Sequence, residues 1–563
     1  MKQPTTVWDK TNIGENYPGI TSPLTYSFIR DAYSNVYEHF IRLVGVDETA
    51  IENNQAIFEN MLGYVQGEVF YNINNWYELV KLLPGYSYNK GFFENMLGPV
   101  AEKKGTAKGN STPGMIWNNR RTIVKFLGSI IFIGPLYKKF DKEFRENYDI
   151  YKSMDLEKLD NFKLVAAFEK LQNRFFSAWT YTIVNDFRVM IYYGMLTKFV
   201  KKYFPNSSNE TLSFVYGIKN KPESIKPLKE LIKIARLIKS SAKYSALFGK
   251  NSEFILSELQ KPLRRQLRRE IDGYLAAFGE RAFNELKLED VNFKEKPESL
   301  IALIKQYVIY SKKDLENIDT ILNTQRAQKP DYSRERLSPV NKFLFRYLTK
   351  STQRSVYKRE EYRLKRARVF NIAKSFFKEI AQRMVTAGDL EESDDIFYLY
   401  MDEVLDYVRF HRLKEDFKEV VKKRKNLLDR YEDSPLPRRV STEGLPNRGS
   451  IASKTPHAKK NFIGKSTSQG VVRKAKVVVM PKLDLGINVK GKILITETTD
   501  PGWTVLFPLL KGIIIEKGGA LSHASIVARE LGIPCLILQD ATKMFITGNT
   551  IELDAIKGTV TLH

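Results

Sequence analysis

A strand-forming run, Gly512-Ile513-Ile514-Ile515-Glu516, leads into a double glycine, Gly518-Gly519, and the pair Ser522-His523 then opens a short helix. Ile526, Val527 and Leu531 give that helix an apolar face, and Arg529 and Glu530 are polar. Gly532 suits its C-terminal cap, and Pro534 blocks any continuation. This order places one imidazole at a helix N-terminus, beside backbone that carries no side chains. Such an end presents unpaired N–H groups and the positive end of the helix dipole, which suit a phosphoryl group. The same field disfavours imidazolium and keeps the ring neutral and nucleophilic near pH 7. His523 therefore reads as a histidine that is transiently phosphorylated. Ser522 can hydrogen-bond the ring or a phosphoryl oxygen, and Arg529 can pair with phosphate. The bland alternative is a structural histidine at a helix start. His39, His411, His457 and His563 lie in no comparable setting.

The 563 residues suggest three or four domains and a large core. With one cysteine, the chain has no internal disulfide framework and no cysteine-rich metal site, and no metal is expected. No signal peptide is evident. The longest apolar run, Phe126 to Tyr137, is too short to span a bilayer. A cytoplasmic location without membrane association is the expectation. The net charge of +25 could draw the chain to nucleic acid or an anionic surface. The charges are spread along the chain, however, and no nucleic-acid-binding pattern accompanies them, so nucleic acid is not the expected partner.

From Thr25 to Tyr431 the chain reads mostly helical, with long periodic stretches at Leu156 to Phe204 and Tyr357 to Leu390. The frequent Phe and Tyr there fit a large core or a pocket for an apolar ligand. Between Asp433 and Asn461 the composition turns to Pro, Gly and Ser and reads as a flexible linker. Short β runs follow at Val477–Met480, Lys492–Glu497, Gly512–Glu516, Cys535–Gln539, Thr550–Leu553 and Gly558–Leu562. The expected fold class is multidomain α + α/β. It comprises a mainly helical domain at 1–432, a linker at 433–461 and a small β/β/α domain at 462–563. Gly464-Lys465-Ser466 ends like a phosphate-binding P-loop, but Lys459 stands where that motif needs glycine.

Gly518 through Pro534 resembles the signature of the phosphohistidine swivelling domain of phosphoenolpyruvate-utilising enzymes. The likeness extends to Thr499-Asp500-Pro501-Gly502-Trp503-Thr504 upstream and to Asp554 with Gly558-Thr559-Val560 at the end. It implies that His523 carries the phosphoryl group. The opening, Asn12 to Thr25, is similar to the start of the substrate-binding domain in the rifampicin phosphotransferase group. Asn185-Asp186-Phe187, Phe278-Gly279-Glu280-Arg281, Asn284-Glu285-Leu286, Arg359-Glu360-Glu361-Tyr362-Arg363 and Asp394-Asp395-Ile396-Phe397-Tyr398-Leu399 are further matches.

Within the helical domain Arg359, Arg363 and Arg366 fall at i, i+4 and i+7, on one helical face. They read as a basic stripe for a transferred phosphoryl group, or as a solvated face paired with Glu360 and Glu361. Asp186, Glu280 and Glu285 are candidate general bases toward a substrate hydroxyl, with structural hydrogen bonding as the alternative. The family resemblance implies ATP and Mg²⁺ as the phosphoryl source, although no glycine-rich nucleotide loop precedes Asn12. The expectation is therefore a separate ATP-grasp partner acting in trans, with no cofactor held by this chain. The acceptor would be a hydroxyl or carboxylate on a small, largely apolar molecule bound in the helical domain. The alternative is a non-catalytic ligand- or partner-binding protein that retains the fold.

Overall fold

The computed structural model describes residues 5–82, 120–204, 226–280, 285–323, 337–410, 416–434, 436–444, 461–499, 501–519 and 522–563. Its architecture is multidomain, mainly helical, with a strand-rich C-terminal region. It divides into two compact units. The first comprises 1–195, 286–289 and 362–455; the second comprises 196–285, 290–361 and 456–563.

The first unit holds a four-stranded antiparallel sheet in the order β2-β3-β1-β4, from β1 (Thr5–Asp9), β2 (Leu62–Val65), β3 (Glu68–Asn72) and β4 (Arg439–Glu443). The sequence reading missed this sheet. Its hairpin turns on Gln66 and Gly67, both at positive φ (46° and 74°), as a two-residue hairpin demands. Short runs inside a helical context carry too little alternation to stand out. Gly63 is required because a Cβ there would come within 2.3 Å of the Trp8 ring, which lies across the strand. Strand β4 corrects part of the expected linker. It pairs with β1 from Thr5↔Glu443 to Asp9↔Arg439, and the Arg439 guanidinium meets the buried Asp9 carboxylate at 2.7 Å. Val440 packs with Trp8, Val65 and Phe70, so the local alternation outweighs the linker-like composition around it. Residues 445–460 of that expected linker lie outside the described residues.

Helices α1 (Pro23–Leu43) and α2 (Asn161–Tyr203) contribute the unit's aromatic core. Phe28 meets Phe370 edge-on at 5.2 Å and Phe176 at 5.7 Å, and Phe168 meets Phe377 at 4.9 Å. Around Phe28, then, the abundant aromatics form solid packing in the geometry such rings prefer.

In the second unit an eight-stranded sheet runs β5-β12-β11-β7-β8-β9-β10-β6. Its strands are β5 (Asn461–Ile463), β6 (Lys465–Ser468), β7 (Val471–Val479), β8 (Ile493–Thr496), β9 (Gly512–Ile515), β10 (Cys535–Ile537), β11 (Thr550–Asp554) and β12 (Thr559–Leu562). All six expected β runs occur. The middle strands β7 to β10 are parallel, and the remaining pairings are antiparallel. Helices α3 (Lys226–Ser240) and α4 (Pro297–Val308) share one apolar core with this region. Leu303, Ile304 and Tyr307 of α4 are fully buried, in one cluster with Leu506, Phe507 and Ile513. The Tyr307 hydroxyl donates to the Val505 carbonyl, and that of Tyr310 to the Leu509 carbonyl at 3.2 Å. The long helix α5 (Pro339–Ala387) begins well before the periodicity seen from Tyr357, and its residues are divided between the two units at Glu361/Tyr362. Among the described residues no helix is long and apolar enough to cross a membrane.

Candidate functional site

The turn after β9 is built by its glycines and its cap. Gly518 sits at φ +134°, a conformation that side chains with a Cβ rarely adopt. An added Cβ at Gly519 would meet nothing within 4 Å, so the space beside the turn is open. Ser522 is the N-cap of helix α6 (His523–Leu531). Its Oγ accepts from the Ser525 N–H at 3.4 Å and donates to the Ser525 Oγ at 3.0 Å, so this hydroxyl is engaged in capping. Gly532 ends the helix at φ +67°, with the Ile533 N–H on the Ala528 carbonyl at 2.8 Å. Helix α6 thus links parallel strands β9 and β10, and its N-terminus lies beyond the C-terminal end of β9. Ligands of open α/β sheets gather at that edge.

His523 is 3% exposed. Its Nδ1 lies 2.5 Å from the Glu360 carboxylate, which α5 delivers within the same unit from a position 163 residues away. A carboxylate can only accept, so Nδ1 donates, and the tautomer leaves the lone pair on Nε2. Nε2 is sealed from solvent and makes no hydrogen bond among the described residues. Thr498 and Thr499, just before the 3₁₀ turn Pro501–Val505 that packs on α6, also have buried hydroxyls without a partner among the described residues. A nucleophilic nitrogen beside a capped helix start is an arrangement that can hold a phosphoryl group.

The remaining candidates distribute unevenly. Arg529, half-buried in the last turn of α6, acts on the buried Cys535 thiol, which burial pushes up to about 11 against the pull of Thr467 and Arg529. Arg359 is half-buried in the second unit. In the first unit, Arg363 donates to the Glu15 carbonyl at 3.5 Å and Arg366 to the Asn16 side-chain oxygen at 3.4 Å. Glu361 pairs with Lys358 at 2.8 Å, and Glu360 holds His523. Asp186 faces Tyr37, beside Asn185, whose Oδ1 accepts from Tyr137 at 2.5 Å. Glu280 pairs with Lys294 at 3.0 Å, and Glu285 is buried. Neither shares a described contact with His523. Arg281 and Asn284 lie outside the described residues, as do His411, His457, Asp500 and Leu521.

Sequence reasoning missed Glu360 as a partner of the histidine, and no local signal marks it. It also missed Glu289, which accepts from Ser22 N–H at 2.8 Å, Ser22 Oγ at 2.7 Å and Thr25 Oγ1 at 2.5 Å. With Lys287 on the Pro18 and Ile20 carbonyls, this clamps the Asn12–Thr25 loop onto the start of α1.

Residues 488–558 match the model of the PEP-utilising enzyme mobile domain. The chain carries a mobile domain of the phosphoenolpyruvate-utilising enzymes. Ahead of it, residues 186–360 match the rifampicin phosphotransferase fourth domain, a span that ends on the glutamate facing His523. A rifampicin phosphotransferase of Bacillus cereus is 27% identical over 305 residues, which is 52% of this chain and 34% of that protein. One from Bacillus subtilis is 28% identical over 306 residues, 51% of this chain and 34% of that protein. A Streptomyces protein of the same name is 27% identical over 356 residues, 59% and 39% of the two chains. The match thus spans little more than a third of these curated relatives. The mobile domain contains β8, β9 and α6, so the histidine turn belongs to its matched core.

Proposed function

We propose that this chain is a phosphotransferase component in which His523 Nε2 carries a phosphoryl group. The observation that supports it best is the pairing of a buried His523 with Glu360 at 2.5 Å, which frees Nε2 as the nucleophile. In the first step Nε2 attacks a phosphorus of Mg-ATP held by an ATP-grasp partner in trans. The N–P bond forms as the P–O bond breaks, and the leaving phosphate takes that electron pair. The ring keeps its Nδ1 proton through this step, and the Glu360 carboxylate meets that proton again once the domain has returned. In the second step an acceptor oxygen attacks the phosphorus and the N–P electron pair returns to Nε2. A hydroxyl acceptor sheds its proton to a base on its own side of the phosphorus, whereas a carboxylate acceptor has none to give; Glu360, on the Nδ1 side, balances the charge on the ring. At 3% exposure His523 cannot meet an external donor, so the mobile domain must leave Glu360 to be charged and return to discharge. The region 462–563 is the proposed moving domain, and the acceptor is proposed to sit in the helical region, as a small and largely apolar molecule.

Intact mass of the chain after incubation with Mg-ATP and the ATP-grasp partner tests this, beside His523→Ala. The expected result is an acid-labile gain of one phosphoryl group in the wild type alone. No gain, or an equal gain in the variant, would instead favour a binding protein that retains the fold.

A further inference from the structure

The first unit contains a second cluster, and its hydrogen-bonding capacity is one-sided. Tyr17, in the opening loop, is 2% exposed, and its hydroxyl is sealed from solvent. The phenol of Tyr33 stands beside it, with the Tyr37 and Tyr71 rings each 6.0 Å from that of Tyr33. The Arg363 and Arg366 guanidinium groups act on the same Tyr17 hydroxyl. Both Nε atoms are shut off from solvent and have no partner among the described residues. The hydrogen bonds these arginines do make are long, to a carbonyl and an amide oxygen, and neither arginine has an ion pair among the described residues. Burial keeps Tyr17 protonated against the pull of the two cations, so its hydroxyl remains a donor.

Among the described residues the two guanidinium Nε–H groups thus have no acceptor, and the Tyr17 O–H has at most the neighbouring Tyr33 phenol. Buried donors of this kind are rarely left unpaired, and cations without a counter-charge are costly to bury. An oxyanion satisfies both demands, and guanidinium matches a carboxylate or phosphate better than any neutral group does. We infer that Arg363, Arg366 and Tyr17 form a recognition site for an oxyanion carried by the acceptor. This rests on the reading that the acceptor binds in the helical region. It narrows that acceptor from a largely apolar molecule to one with a carboxylate or phosphate end. Tyr33, Tyr37 and Tyr71 supply aromatic surface beside the charged end.

Binding is measured by calorimetry on the full chain without nucleotide or partner, so the outcome is independent of His523 phosphorylation. The probes are formate, benzoate, 1-naphthoate and inorganic phosphate, with 1-naphthamide as the neutral counterpart. At least one anion is expected to bind saturably at one per chain, and the amide is not. Arg366→Met should weaken that binding ten-fold or more and Tyr17→Phe about three-fold, whereas Arg268→Met, an equal loss of charge at an exposed site, should leave it unchanged. Preference for a carboxylate would assign a carboxylic acid acceptor; preference for phosphate would assign one that arrives phosphorylated. Absence of saturable binding by all four anions would overturn the site. So would affinity that survives both Arg366→Met and Tyr17→Phe. Tyr17→Phe removes one oxygen only, so the test stands even if Arg366→Met fails to fold. Anion binding here, together with no phosphoryl gain at His523 in the separate incubation with Mg-ATP and the ATP-grasp partner, would refute the phosphotransfer reading and leave this site standing.

Discussion

At the scale of the residue, two side chains carry opposite expectations. Glu360 faces Nδ1 of His523, and Glu360→Gln keeps a hydrogen-bond acceptor there while removing the charge. Phosphoryl transfer from the charged chain should then fall about a hundred-fold, the low end for a positioned acid–base group. The fold should persist, as thermal unfolding will check. A rate within a few-fold of wild type would remove Glu360 from the chemistry. Cys535 is expected to be inert. Burial raises its thiol above the ordinary cysteine range to about 11, so the folded chain holds that proton more tightly than the unfolded chain. Its contribution to stability is complete below pH 9 and is lost as pH rises through 11. Native chain at pH 8 should resist iodoacetamide and react only after denaturation. Rapid labelling of the native form would show that the thiol is open. The turn and cap that place His523 are legible in the sequence, because their signature is local. Glu360 is not, since a contact across 163 residues leaves no mark on spacing.

At the scale of the element, the turn and helix around His523 were readable in detail. The glycine at φ +134°, the serine cap and the left-handed Gly532 all lie where backbone chemistry requires them. Gly518→Ala should cost roughly 1–3 kcal/mol through strain, and Ser522→Ala about 1 kcal/mol through the lost cap. Chemical denaturation measures both, and a neutral result for Gly518→Ala would mean that the turn relaxes freely. The six β runs were legible because strand alternation and turn residues coincide there. The N-terminal sheet was not. Its hairpin is short, and β4 sits in a stretch whose Pro, Ser and Arg content resembles a linker. There, tertiary pairing with β1 decided what composition left open.

At the scale of the whole molecule, motion meets the apolar core of the second unit. Fully buried Leu303, Ile304 and Tyr307 lie in one cluster with residues of the mobile domain. Exposing each would cost about 1.5–3 kcal/mol. In the proposed relay the cheaper route opens only the His523–Glu360 contact and carries α4 along with 462–563. Hydrogen exchange on the phosphorylated chain should then show faster exchange around Glu360 and unchanged protection in α4. Loss of protection in α4 would instead mean that 462–563 moves alone.

The most direct measurement is nitrogen-edited NMR of the ¹⁵N-histidine chain, phosphorylated with Mg-ATP and the ATP-grasp partner. Phosphorus coupling at Nε2 of a single imidazole, absent in His523→Ala, is the predicted result. Coupling at Nδ1, or at a histidine other than His523, would contradict the account, which keeps the proton on Nδ1 and the lone pair on Nε2.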